Sequence, residues 1–421
     1  MRFFCVFVLP ASFMAIIVVY MLANPSGPTI GQVPAPPTAV PAPTEAPLPE
    51  GLAGAFTYRS GVDLITVRLP SGEETSRTGA PPASAQVASA DGLWMYTVSC
   101  APKCSIYVSS TDRNTVKTTG GGAGPVAWSP TGHTLAYVSG SGEVGPTGSP
   151  SQDLVIVEDP GAGGEGLHTS ALQSRVLLHD DRHILDFAWI DDSLLIVSVA
   201  DGGGSQLLRV SLDGTVTQLS TVPSGVYFFY PSPDHQTFAY TVNHADGWRM
   251  NIVDAGEGTV RDLGNMGSDP TGVRPPVDVS PDGGKGPMYI AWSPDGSRLA
   301  FGGGFAPPYT MKIVDLTSGN VAHTEFPNGY PGEIEWSPDG TLVAVSSYDP
   351  DRTRHETFVV DPASGEASHL LNGCILVWSP DSRFLAVHGE PDPGISLVDV
   401  HTGETGKLTH EMHDTPWRWV D

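Results

Sequence analysis

Apolar and polar residues alternate in short runs along most of this chain, and the runs are broken at regular intervals by Ser, Pro, Asp and Gly. One line recurs: WSPTGHTLAY at 128–137, WSPDGSRLAF at 292–301, WSPDGTLVAV at 336–345 and WSPDSRFLAV at 378–387. Looser copies are ASADGLWMYT at 88–97, PSPDHQTFAY at 231–240 and, one residue shorter, WIDDSLLIV at 189–197. An apolar residue stands two positions before six of the Trp slots (Val126, Phe187, Phe229, Ile290, Ile334, Leu376), the period of a strand with a buried face. Ser-Pro-Asp-Gly then puts Pro second, Asp third and Gly fourth, as a type I turn prefers, so each motif predicts two strands joined by a tight turn. A second turn motif closes a third strand at 313–320 (IVDLTSGN), 359–366 (VVDPASGE), 397–404 (LVDVHTGE) and, more loosely, 210–215 (VSLDGT).

The unit is therefore four antiparallel strands, which cannot bury both faces alone and must stack with its neighbours around an axis. The chain ends on PWRWVD, which matches a first strand and stops, while 54–73 matches a second and third strand lacking a first. Together these pieces predict one split blade that closes the ring and removes exposed sheet edges. With Trp slots at 88, 128, 189, 231, 292, 336, 378 and 419, the expectation is an all-β propeller of eight four-stranded blades over 51–421, with seven as the alternative if the copy at 88 forms no sheet of its own.

Ahead of this domain, residues 3–23 carry no charge and follow Arg2, the arrangement of a signal peptide or an uncleaved membrane anchor spanning 1–24. Residues 25–50 are rich in Pro, Ala and Thr and form a linker without apolar periodicity. The propeller is thus expected outside the cytoplasm, either anchored or secreted, with the N-terminal segment as its sole membrane contact.

The repeat WSPDGSRLAF resembles that of TolB-like propellers, relatives of the WD type, and the resemblance covers nearly all of 54–421. It implies the fold. It leaves function open, since that group includes periplasmic scaffolds and the propeller gates of peptidases. Such peptidases add an α/β-hydrolase domain with a Gly-x-Ser-x-Gly elbow, and no such pentapeptide occurs here.

Composition narrows the partners. With 46 acidic against 21 basic residues the net charge is -25, which disfavours nucleic acid. Of four cysteines, Cys100 and Cys104 flank a short loop and are candidates for a local disulfide, while Cys374 has no near partner in sequence. The loops between second and third strands share a face with the blade-to-blade connections, so variation gathers on one rim, notably at 139–153 and 265–287. An insertion at 159–173 falls on the opposite face.

The densest polar cluster on the rim comprises Tyr348, Arg352, Arg354 and His355 from one loop, His388 and Glu390 from the next, and His410, His413 and Asp414 from the closing connection. Guanidinium pairs suit a carboxylate or phosphate and Tyr348 an aromatic contact, which makes this the candidate ligand site of a monomeric binding module for a protein, peptide or envelope ligand. No catalytic residue and no cofactor is assigned. The same loops carry Asp349, Asp351 and Asp392, so Ca2+ is a candidate ion, although neither loop has the calcium-loop register. The alternative function is a small-molecule hydrolase or lyase using a rim cation. At the channel mouth only Asp186 and Glu333 offer metal ligands three residues before a Trp slot.

Overall fold

A computed structural model gives the architecture. It describes residues 48–420 apart from connecting segments, the longer ones being 79–85, 119–123, 145–149, 161–165, 266–289 and 410–417. The leader, most of the linker, the loop 265–287 after its first residue, and His410, His413 and Asp414 lie outside the described residues.

Blade 4 shows the plan: Ile184–Asp191, Leu194–Asp201, Gly204–Ser211 and Val216–Val222 are hydrogen-bonded in that order, each antiparallel to the next. The inner three are largely buried, while the outermost is mostly exposed, because only its neighbours along the ring cover a blade. The same plan gives blade 3 (Val126–Trp128, Leu135–Val144, Pro150–Val157, Arg175–Asp180), blade 5 from Phe229–Pro231 onward and blade 6 from Ile290–Trp292 onward. Blades 7 and 8 are fused into one sheet by Ala367–Trp378, which pairs first with Arg354–Val360 and then, beyond Gly373, with Phe384–Gly389. Gly373 has φ 144, and a Cβ there would collide with the His388 carbonyl, so glycine lets the strand pass from one blade to the next.

Blade 1 is split as the ends of the sequence predict. Ala55–Ser60 pairs with Arg418–Val420, setting Phe56 opposite Trp419, and continues to Asp63–Arg68 and Glu73–Thr78. The copy at 88 forms its own sheet, Gln86–Ala88, Trp94–Cys100, Cys104–Ser110 and Thr115–Thr118, which decides for eight blades over seven. Blade 2 also gains a fifth strand. Part of the insertion at 159–173, Gly166–Ala171, pairs in parallel with Thr115–Thr118 and covers what would otherwise be an open outer edge. The segment 139–153, expected as a rim loop, is mostly an extension of two strands, Leu135–Val144 and Pro150–Val157.

The repeat motif is an inter-blade device. In LAF-type triplets the outer residues face the preceding blade and the alanine faces the following one: Leu299 and Phe301 pack with blade 5, Ala300 with blade 7. That alanine shares its cluster with the next blade's Trp, as Ala136 with Trp189, Ala300 with Trp336, Ala344 with Trp378 and Ala386 with Trp419. The small side chain leaves room for the indole. Four indole Nε1 atoms in turn donate to the carbonyl just before the preceding blade's Trp slot: Trp189 to Ala127 (3.1 Å), Trp292 to Tyr230 (2.9 Å), Trp336 to Ala291 (2.9 Å) and Trp378 to Glu335 (3.2 Å). Where blade 5 has Pro231 instead of Trp, blade 4 has Ile196 instead of Ala, filling the space the missing ring leaves.

Candidate functional site

Strand Val343–Asp349 of blade 7 reverses into Arg354–Val360 through a short loop. Asp349 Oδ1 accepts the amides of Asp351 (3.0 Å) and Arg352 (3.1 Å), and Thr353, at φ 52, turns the chain back. Tyr348 therefore stands opposite His355 and Asp349 opposite Arg354. Asp349 and Glu356 are buried (3% and 5% exposed), which requires partners for two carboxylates. Arg352 lies 3.7 Å from Asp349 and 3.8 Å from Glu356, Arg354 bonds Glu356 directly, and Asn328 Nδ2 reaches Glu356 at 3.4 Å. The two guanidinium groups are thus engaged by acids of their own loop, with Arg352 the more exposed.

Aromatic rings lead up to this loop from blade 6. Tyr309, Tyr330, Tyr348 and His355 follow one another with ring centroids 6.3, 5.5 and 5.0 Å apart. His355 is the hinge to blade 8, because Glu390 accepts its backbone amide at 2.8 Å and meets its Nδ1 at 3.1 Å. Burial pushes the Glu390 carboxyl up, but the His355 hydrogen bonds outweigh it and hold the group below the ordinary glutamate range. Further stitches join the two blades: Thr357 Oγ1 donates to the Gly373 carbonyl (2.8 Å), and Ser346 Oγ accepts the Ile375 amide (2.9 Å).

His388 stands directly across the strand pair from Cys374, so the two side chains share a face of blade 8. It is 8% exposed, and neither ring nitrogen has a hydrogen-bond partner among the described residues. Burial lowers its pKa. The ligand atoms of His355, Cys374 and Glu390 all lie within 4.8 Å of one another. Cys374 is disulfide-bonded, its sulfur engaged with one of the other three cysteines, whose side chains lie outside the described residues. Cys100 and Cys104 are cross-strand neighbours in register.

Six of the nine sequence candidates, Tyr348, Arg352, Arg354, His355, His388 and Glu390, therefore meet at the seam of blades 7 and 8. Sequence reasoning did not place Cys374, Tyr309, Tyr330 or Asn328 there. The Cys374–His388 pairing follows from counting outward from the SPDS turn at 379–382, whereas the tyrosine row depends on the approach of blade 6. At the channel, Asp186 is buried and accepts the Phe229 amide at 2.7 Å, so it binds blade 4 to blade 5.

No protein-family model and no curated protein matches the chain. Among solved structures, dihydro-heme d1 dehydrogenase NirN in complex with DHE aligns with TM-score 0.52 and 15% identity over 96% of this chain and 85% of that one. A eukaryotic initiation factor aligns with TM-score 0.50 and 13% identity over 87% of this chain and 97% of that one. TolB from Acinetobacter baumannii also matches, at TM-score 0.37 and 14% identity over 73% and 76% of the two chains. The first two likenesses, at these identities, bear on the fold alone and carry no function across.

Proposed function

We propose that this chain is an extracytoplasmic binding propeller, without catalytic activity of its own, that holds a protein or peptide on the variable-loop face where blades 7 and 8 meet. The observation that carries the proposal is the half-buried pair Tyr330 and Tyr348, backed by the core residue Tyr309 and running into a held set of charged groups, Arg352, Asp349, Glu356 and Glu390. Rigid aromatic area beside preorganised ionic groups is the chemistry of a protein-binding hot spot. The apolar leader read from the sequence and the disulfide at Cys374 both favour an oxidising compartment outside the cytoplasm. A disulfide between Cys100 and Cys104 would leave Cys374 only Cys5 of the leader, so the local pair, although in register, is not part of this proposal.

The test is capture from a native envelope extract on the immobilised full chain, wild type against Tyr348→Ala with Arg352→Glu. A partner held by wild type and lost from the double variant supports the assignment. Equal recovery by both removes this seam from consideration. The second reading, a hydrolase or lyase working through a rim cation, draws on His355 and Glu390, whose ligand atoms lie within 4.8 Å of each other, and predicts turnover that a chelator abolishes.

A further inference from the structure

In every other blade four to six residues join the third strand to the fourth, whereas blade 3 uses seventeen, 158–174, for the same reversal. The extra length carries Gly166–Ala171 to the outer edge of blade 2, and its hold there is slight. Three residue pairs join it to Thr115–Thr118, and the register breaks between them: the step from Gly166 to Ser170 matches the step from Thr115 to Lys117, so residues 167–169 span the place of one. Five or six antiparallel pairs join the two outer strands of blades 4, 5 and 6. The added strand is parallel, the less stable arrangement per residue. The outermost strands Val216–Val222, Val260–Asn265 and Val321–Phe326 carry no such cover among the described residues, so the ring does not require one.

The geometry points to the outer edge of blade 2 as a docking site for an extended, proline-free segment of a partner protein, taken up parallel to Thr115–Thr118 in exchange for Gly166–Ala171. The chain's own strand shows the direction and length of what fits. Main-chain hydrogen bonds along a sheet edge supply affinity in such strand addition, and side chains on one face supply choice. Tyr107, on the strand beneath Thr115–Thr118, is 39% exposed and stands in register with Thr118, which in turn stands in register with Ala171. Residues in register share a face of the sheet, so position 171 of the added strand lies on the face that Tyr107 occupies. An incoming segment with a large apolar residue at that position places it on the same side as the exposed ring. This edge is separate from the seam of blades 7 and 8, and the inference stands or falls without it.

The probe is a fluorescein-labelled peptide of residues 164–173, GEGLHTSALQ. It is titrated by anisotropy against the full chain and against a trimmed chain in which 159–174 is replaced by LTSGN, the turn of blade 6 at 316–320. The expected result is micromolar binding to the trimmed chain and at least about 10-fold weaker binding to the full chain, where the tethered strand competes at high effective concentration. The peptide carrying Thr169→Pro should not bind, because proline removes a ladder donor, and the peptide carrying Ala171→Leu should bind several-fold tighter. Circular dichroism and a melt confirm that the trimmed chain is folded. A folded trimmed chain that ignores the peptide overturns the site, as does equal affinity for both chains. Hydrogen exchange on the intact protein tests the same idea without a variant: amides of 166–171 should exchange at least about 10-fold faster than those of Val216–Val222, and equal protection would show a cover that does not lift.

Discussion

At Asp295 the hydroxyl of Ser293 (2.6 Å), the amide of Ser297 (3.0 Å) and the hydroxyl of Ser297 (2.9 Å) converge on one carboxylate, and its pKa falls from 3.8 to about 2. The same turn hydrogen bonds hold Asp234 below the usual range, and at Asp339 they do so against the opposing effect of burial. A depressed carboxylate contributes stability that is complete above its unfolded pKa and is lost as pH falls through its folded one. The melting temperature should therefore hold above pH 3.8 and drop towards about pH 2, with a shallower drop in Asp295→Asn; an unchanged acid profile in that variant would count against the linkage. These Asp positions were legible in the sequence because turn chemistry is local. The site was legible only in part. Its residue types and loops could be read off, but the turning inward of Arg352 and Arg354 follows from the burial of Asp349 and Glu356, which no local pattern encodes.

Between elements, the pairing of a small residue on one blade with an indole on the next makes a steric prediction. Ala344→Leu should destabilise by about 1–3 kcal/mol through overpacking, and Trp378→Ala by about 3–5 kcal/mol through the cavity it leaves. The double variant should lose less than the sum, because the added leucine occupies part of the vacated space. Denaturant melts of the four proteins close the cycle, and strict additivity would contradict contact between the two positions. The chain already contains this compensation at Ile196 and Pro231. Strands, turns and blade count were all legible from the repeat, since each unit restates the same pattern. The parallel strand Gly166–Ala171 was not, because it joins a blade more than forty residues earlier and its partner, Thr115–Thr118, lies outside the repeat motif.

For the whole molecule, closure rests on three residue pairs between Ala55–Ser60 and Arg418–Val420, reinforced by Phe56 meeting Trp419 edge to face at 5.7 Å and by Trp419 Nε1 donating to the Ala53 carbonyl. Deleting 418–421 should expose the edge of Ala55–Ser60 and lower the melting temperature sharply, with self-association visible by light scattering. A monomeric deletion with a wild-type melt would show that the ring holds without its clasp. Blades 7 and 8 differ from the other pairs in having no joint, because Ala367–Trp378 runs through both. A ligand arriving at this seam meets two walls that cannot slide past each other, so little rearrangement stands between encounter and complex. Its arrival rate should then be set by diffusion and charge and should respond to salt, with the acidic chain drawing a cationic partner faster than a neutral one.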